Sequence, residues 1–271
     1  MIRLTIWYEN FQENGIADER FLRKDFPQDQ LENYSAYLER CAASIQKIYP
    51  GGLGKFLESI FRPFDDIQTR LLTLDMPGFG LTDEILQNTD VLIWWSHSVH
   101  HAVPDELAQK IQQQVLSGMG FIALHSSHLC KPLKLLLGTS CTLRWRNDDF
   151  ERVWTTAPTH PIARGIPASF ELEQEEMFGE FFDIPKPDDV IFTGWFRGGE
   201  VFRSGCTWTR GYGRIFFFQP GHETNPSFHN PYVQQILVNA VRWAAPETAR
   251  QTLACTHDEA APESRLTFEK L

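Results

Sequence analysis

Residues 90–124, DVLIWWSHSVHHAVPDELAQKIQQQVLSGMGFIAL, hold the reading that decides the fold. Each end is a continuous apolar run of strand length, DVLIWW (90–95) and GFIAL (120–124). Between them Pro104 stands where a helix's first position belongs. Asp105 and Glu106 follow it, where acidic side chains meet the positive end of the helix dipole. Val103, Leu107, Ile111 and Val115 mark one helical face, and Gly118 suits a C-terminal cap. Strand, helix and strand, with the strands apolar throughout, predict a parallel sheet covered on both faces.

The same rhythm extends outward. IRLTIWY (2–8) reads as the first strand and IQTRLLTLD (67–75) as the second. Residues 15–49 are polar and helix-prone, with Tyr34, Tyr37, Leu38, Cys41, Ile45 and Ile48 in a stripe at helical spacing. YPGGLG (49–54) breaks the chain before the helix KFLESIF, and MPGFG (76–80) makes a turn before the short helix LTDEILQNT. The second half is different. RVWTTA, VIFTGWF, EVFRSGCTWTR and RIFFFQPG read as strands, with Gly211 and Gly213 at a hairpin turn. A closing helix opens at Asn230 and Pro231 and buries Val233, Ile236, Leu237, Ala240, Val241 and Ala244. These elements predict one α/β domain over residues 1–245, with a helical insertion at 15–50 and a polar tail at 246–271.

Composition narrows the function. The 271 residues are 42% hydrophobic and 13% aromatic, as in an ordinary globular protein. A formal charge of −10 argues against nucleic acid or an acidic membrane surface as partner, because phosphate binding needs basic surface. No apolar run approaches a membrane span, and MIRLTIWYEN lacks the pattern of a secretory signal. The five cysteines (41, 130, 141, 206, 255) contain no C-x-x-C pair and suit reduced thiols in a cytoplasm. A homo-oligomer is compatible with this composition.

Six of the nine histidines fall just beyond the carboxyl ends of three predicted strands. His97, His100 and His101 follow VLIWW, His125 and His128 follow GFIAL, and His222 follows RIFFFQPG. In an open parallel sheet those ends line the crevice where ligands bind. Neutral imidazole is the commonest metal ligand, so His97, His125 and His222 are candidate ligands of a divalent cation, zinc foremost. His100 and His128 would lie close by, His128 among the catalytic groups and His100 in contact with substrate. In EQEEMFGE (173–180) and beside His222, Glu176, Glu180 and Glu223 are candidate acid or base groups. Glu173 and Glu175 read as a solvated acidic face. His160 and His257 read as structural or solvated, and His229 is left open. For a sugar-sized ligand, Trp94, Trp95, Trp195, Trp208 and Arg203 offer platforms and a donor, although tryptophans are core residues by default. A nucleophile at Ser126 or Cys130 is the competing reading, but LHSSH lacks the small residues that flank a nucleophile elbow.

The blocks VLIWWSHSVHHAV, GMGFIALHSSH, LLGTSC, EQEEMFGEFFDIP, GGEVFRSG and GRIFFFQPGHETNP…VNAVRW, in this order from about 67 to 245, resemble the ThuA-like (trehalose utilisation) family. The resemblance implies a flavodoxin-like, doubly wound, mostly parallel sheet related to class I glutamine amidotransferases, with added hairpin elements in the second half. It places His125 where amidotransferases carry their catalytic cysteine, and it maps His222 and Glu223 onto their partner histidine and glutamate. Glutamine hydrolysis by the usual route is therefore not expected. Where the resemblance implies a histidine soon after the first strand and another after the Tyr-Pro-Gly turn, this chain has Gln12 and Gly54.

The expectation that follows is a cytoplasmic, metal-assisted enzyme acting on a small sugar ligand, trehalose or a related disaccharide or keto-sugar. Glu176, Glu223 and His128 would be its catalytic groups. His100, Arg203, Glu180 and Trp95 would contact substrate. The alternatives are a non-catalytic carbohydrate-binding or regulatory protein, and an amidase-like hydrolase.

Overall fold

The structure, a computed structural model, describes residues 1–253. His257 and Cys255 lie outside the described residues, as does most of the polar tail. Nine strands form one sheet: β1 (Ile2–Tyr8), β2 (Ile67–Thr73), β3 (Val91–Trp95), β4 (Gly120–Leu124), β5 (Arg144–Thr155), β6 (Ser169–Gly179), β7 (Asp189–Phe196), β8 (Val201–Arg210) and β9 (Gly213–Phe218). Among the described residues seven α-helices accompany them: α1 (Phe11–Asn14), α2 (Leu31–Ile48), α3 (Leu53–Phe61), α4 (Asp83–Gln87), α5 (Asp105–Leu116), α6 (Lys131–Leu137) and α7 (Pro231–Ala244).

The strand order is β2-β1-β3-β4-β9-β8-β7-β5-β6. Its first five strands are parallel, in the 2-1-3-4-5 order of flavodoxin-like sheets. The other four are antiparallel and extend the sheet beyond β9. Side chains alternate between the two covered faces. Trp7, Trp94, Phe121 and Phe217 pack with Ile111 and Val115 of α5 and Leu133 of α6. Tyr8, Trp95, Ile122 and Phe218 pack with Leu57 of α3 and Ile236 and Leu237 of α7. Burying such rows is worth about 25 cal/mol per Å² of apolar area, which fixes strand register more firmly than local propensity does.

Local chemistry sets the element ends. Asn230 Oδ1 accepts from the amides of Tyr232 (2.9 Å) and Val233 (3.4 Å), capping α7 ahead of Pro231. Gly120 opens β4 where a Cβ would meet the Ala244 carbonyl oxygen at 2.5 Å, so α7 closes directly over the sheet. Within the region expected as helix over 15–49, the helix α2 begins at Leu31. The segment before it makes turns up to Pro27, which cannot continue a hydrogen-bonded ladder.

Candidate metal centre

All the expected strand-end residues lie at one edge, the carboxyl end of the parallel strands. His97 follows β3, His125 follows β4 and His222 follows β9. Their ring centroids are 5.9 Å apart for His97 and His125, 5.0 Å for His97 and His222, and 5.1 Å for His125 and His222. From the antiparallel half, β6 brings in Glu176. The geometry gathers one ligand atom each from His97, Glu176 and His222 within 4.8 Å of one another. Two imidazoles and a carboxylate form a donor set that suits a catalytic zinc or similar divalent cation.

Each donor is held from behind. His97 Nδ1 lies 2.8 Å from Glu223 Oε1, and Glu223 is fully buried, so Nε2 is left as the available nitrogen. Burial opposes a charge on His97, but the neighbouring Glu223 carboxylate outweighs it and holds the imidazole up at about 9, so a cation at Nε2 would take the place of a proton. Burial likewise opposes ionisation of Glu223, yet His222 and His97 hold its carboxyl well below the usual range. The turn carrying His97 is fixed by Glu9, at the end of β1, whose Oε1 accepts from the amides of Ser98 (2.6 Å) and Val99 (3.1 Å). Burial pushes Glu9 up to about 7. His222 Nδ1 meets the amide of Thr224 at 3.1 Å and its hydroxyl at 2.9 Å, which leaves Nε2 for the cavity.

His125 sits in the left-handed region at φ 52°. It is fully buried and stacks on Phe178 with centroids 5.1 Å apart. Its Nδ1 donates to the Gln219 carbonyl at 2.9 Å, and its Nε2 lies 3.0 Å from Glu176 Oε2. That approach is off the hydrogen-bond direction, so Nε2 has no hydrogen-bond partner among the described residues. The structure thus sets His125 against Glu176, with His97 and His222 the imidazoles that join Glu176 in the donor set. Burial works against ionised Glu176, but His125 and the other imidazoles keep it on the acidic side of its ordinary value.

Two adjoining cavities, the lobes of the site, lie at this centre. The larger, about 320 Å³, runs past His128, Thr142, Trp145 and Phe178. The smaller, about 160 Å³, runs past Cys41, Asp148, Thr224 and Asn225. Tyr37, Asn147, Glu176 and His222 border both. His128 Nδ1 donates to the Cys141 carbonyl at 2.6 Å, and burial pushes this imidazole down to about 4. With one nitrogen so engaged, His128 offers Nε2 to the larger lobe as a neutral acceptor.

Other expected residues sit elsewhere. Trp95 is buried beneath the centre and donates to the Gly221 carbonyl at 3.0 Å. Trp94 and Trp208 are core residues, and Trp195 lies in β7 beside Arg152 of β5, away from the cavity. Arg203 and Glu180 pair with each other at 2.8 Å and line neither lobe. His100 turns from the cavity to Ser96 Oγ, 3.0 Å away, and burial pushes it down to about 3. His160 caps a short turn through Ile162 N, and His229 binds the Ile48 carbonyl, both structural placements. Cys130 is buried, its thiol pushed up by burial, and Ser126 lines the larger lobe without a side-chain hydrogen bond among the described residues.

One expectation is corrected. Glu175, read as solvated, is fully buried and accepts from the amides of Gly221 (2.9 Å) and His222 (3.3 Å) and from Ser227 Oγ. The β5–β6 register shifts on either side of the Asp149–Glu175 pair, and there strict in-out alternation fails. Sequence reasoning also passed over Tyr37, Trp145 and Asn147 as site residues. Tyr37 reads as one more member of the helical stripe of 34–48, and Trp145 and Asn147 lie in a polar stretch with no apolar period.

A family model described as ThuA, trehalose utilisation, matches residues 44–244. Among solved structures, a ThuA-like protein from Parabacteroides merdae superposes with TM-score 0.59 at 14% identity, over 94% of this chain and 92% of that one. A ThuA-like protein from Bacteroides uniformis gives 0.53 at 15% identity, over 90% and 91%. A cytoplasmic protein from Salmonella typhimurium gives 0.54 at 13% identity, over 72% and 87%. No curated protein matches the chain. No helix among the described residues is long and apolar enough to cross a membrane. With most of its length matched by the family model and its fold shared with these structures, the chain belongs to the ThuA, trehalose utilisation, family.

Proposed function

We propose that this chain is a metal-assisted enzyme of sugar utilisation, acting on trehalose or a related disaccharide or keto-sugar. One observation carries the reading: one ligand atom each of His97, Glu176 and His222 lies within 4.8 Å of the others, and Glu176 and His222 border both adjoining lobes. The buried Oε2 of Glu223 has no hydrogen-bond partner among the described residues, which fits a centre built around a further charge. His97, Glu176 and His222 would hold the cation. When bound, it supplies Lewis acidity toward a carbonyl or hydroxyl oxygen.

The chain's own groups do the rest. Glu176, kept ionised, is the carboxylate donor at the seam of the lobes, and His125 lies against it from beneath. His128 accepts a hydrogen bond from a ligand hydroxyl through Nε2, its tautomer set by the Cys141 carbonyl. Glu223 stays behind His97 as a positioning residue. Two lobes of unequal size around one centre suit a ligand of two joined rings. The four described cysteines are all buried thiols, in keeping with a reducing cytoplasm.

Elemental analysis tests this directly. Purified protein should carry close to one zinc or other divalent cation per chain, and His97→Ala should lose it. Wild-type protein that is metal-free after chelator-free purification, and still binds sugars as the variant does, would remove the metal from this account.

A further inference from the structure

The family model begins at residue 44, so most of helix α2 lies outside the matched segment. Yet Tyr37 of α2 borders both lobes of the cavity. It is not a loose arm. Its ring stacks on Tyr34 with centroids 6.0 Å apart and 17° between planes, and Tyr34 in turn packs against Phe11 and Phe26. Its hydroxyl oxygen accepts from Gln12 Nε2 at 3.2 Å.

Gln12 is buried in α1, directly after the strand that ends at Tyr8. Two contacts fix α1 against its neighbours. Glu13 Oε2 accepts from the Leu53 amide at 3.0 Å. At Gly15, φ 68°, a Cβ would come within 3.0 Å of the Ala42 Cβ, so α2 lies close against the end of α1. Because Gln12 donates to the phenol oxygen, the phenol's own proton is directed elsewhere. Its nearest protein acceptor is the Cys41 thiol one helical turn on, a weak acceptor that a ligand oxygen would outcompete, and no oxygen among the described residues accepts it.

We infer that Tyr37 is a specificity-determining residue: its hydroxyl donates a hydrogen bond to an oxygen of the ligand at the seam of the two lobes, and Gln12 is its positioning residue. This rests on the sugar reading above. A ligand spanning both lobes meets Tyr37 at its linkage, whereas a single ring held in one lobe need not reach it. Discrimination by length thereby comes from the part of α2 that the family model does not cover, while the chemistry stays on the strand ends.

The test uses the full-length protein with its metal content recorded. Binding is measured by calorimetry for trehalose, other disaccharides and their keto derivatives, with glucose as the one-ring comparison. Tyr37→Phe should weaken the bound disaccharide about 3- to 10-fold, the equilibrium weight of one neutral hydrogen bond, and leave glucose nearly unchanged. Gln12→Ala should shift the same ligands in the same direction, with metal content and circular dichroism as in the wild type. Disaccharide affinity unchanged in Tyr37→Phe would overturn the assignment while leaving the sugar reading in place. Wild-type protein that binds no member of the panel would remove the sugar reading, and this assignment with it.

Discussion

The two halves of the sheet deliver functional groups in different ways. In the parallel half, β3, β4 and β9 end together, and His97, His125 and His222 stand on the turns just past those ends. The turns carry the candidate donors and the strands carry the core, as an open parallel sheet dictates. In the antiparallel half, Glu176 projects from within β6, at a place where pairing with β5 loses its regular register. There a strand interior does the work of a loop. A centre assembled from both halves depends on how firmly the irregular half is held.

The sharpest way to break this comparison is to substitute its two carboxylates separately. Glu176→Gln removes a proposed ligand supplied by the antiparallel half and should lower zinc affinity by more than about 100-fold. Glu223→Gln removes only the support behind His97 and should cost about 10- to 100-fold. Both are read by competition with a chromogenic chelator. Equal and small losses would mean that the antiparallel half merely walls the cavity.

Glu151 sharpens the comparison through pH. This fully buried carboxyl of β5 accepts from Ser204 Oγ at 3.0 Å, and burial followed by the neighbouring Glu175 charge raises it well above 4.5. The folded protein therefore keeps a proton that the unfolded chain gives up. Stability present below about pH 4.5 falls as pH rises toward the folded value. Glu151→Gln does not titrate, so its urea midpoint should gain on the wild type from pH 5 to pH 7.5. Parallel curves would show that Glu151 is already ionised in the fold.

The smallest expected effect lies on the regular side. Asn230→Ala removes the cap of α7 and should cost about 1 kcal/mol in denaturant titration, with metal content unchanged. A change in metal content would show that α7 positions the centre as well as the core.

Much of the parallel half was legible because its physics is repetitive. Strands covered on both faces must be apolar throughout, and helices between them must show a stripe, so DVLIWW, GFIAL and RIFFF announced themselves. The histidines beyond them could be listed for the same reason. The antiparallel half hid its contribution. EQEEMFG reads as solvated acid, yet Glu175 and Glu176 are adjacent and both buried, the first taken up by backbone amides and the second at the cavity wall. Tryptophans misled for a related reason: Trp95 and Trp208 fill the core, while Trp145 stands exposed at the cavity, and composition distinguishes neither place. The two positions that depart from the histidines implied by the family resemblance also depend on packing. Gln12 is committed to Tyr37, and at Gly54 even a Cβ would lie 2.9 Å from the Tyr8 ring.

The left-handed backbone at His125 has a meaning for how this chain can change. An ordinary side chain held there costs about 1 kcal/mol. What holds it is a pair of engagements, the Gln219 carbonyl on one nitrogen and Glu176 beside the other. Replacements that relax the backbone would sever the link between β4, β9 and β6, so selection for a sturdier fold and selection for a working centre pull this one residue in opposite directions.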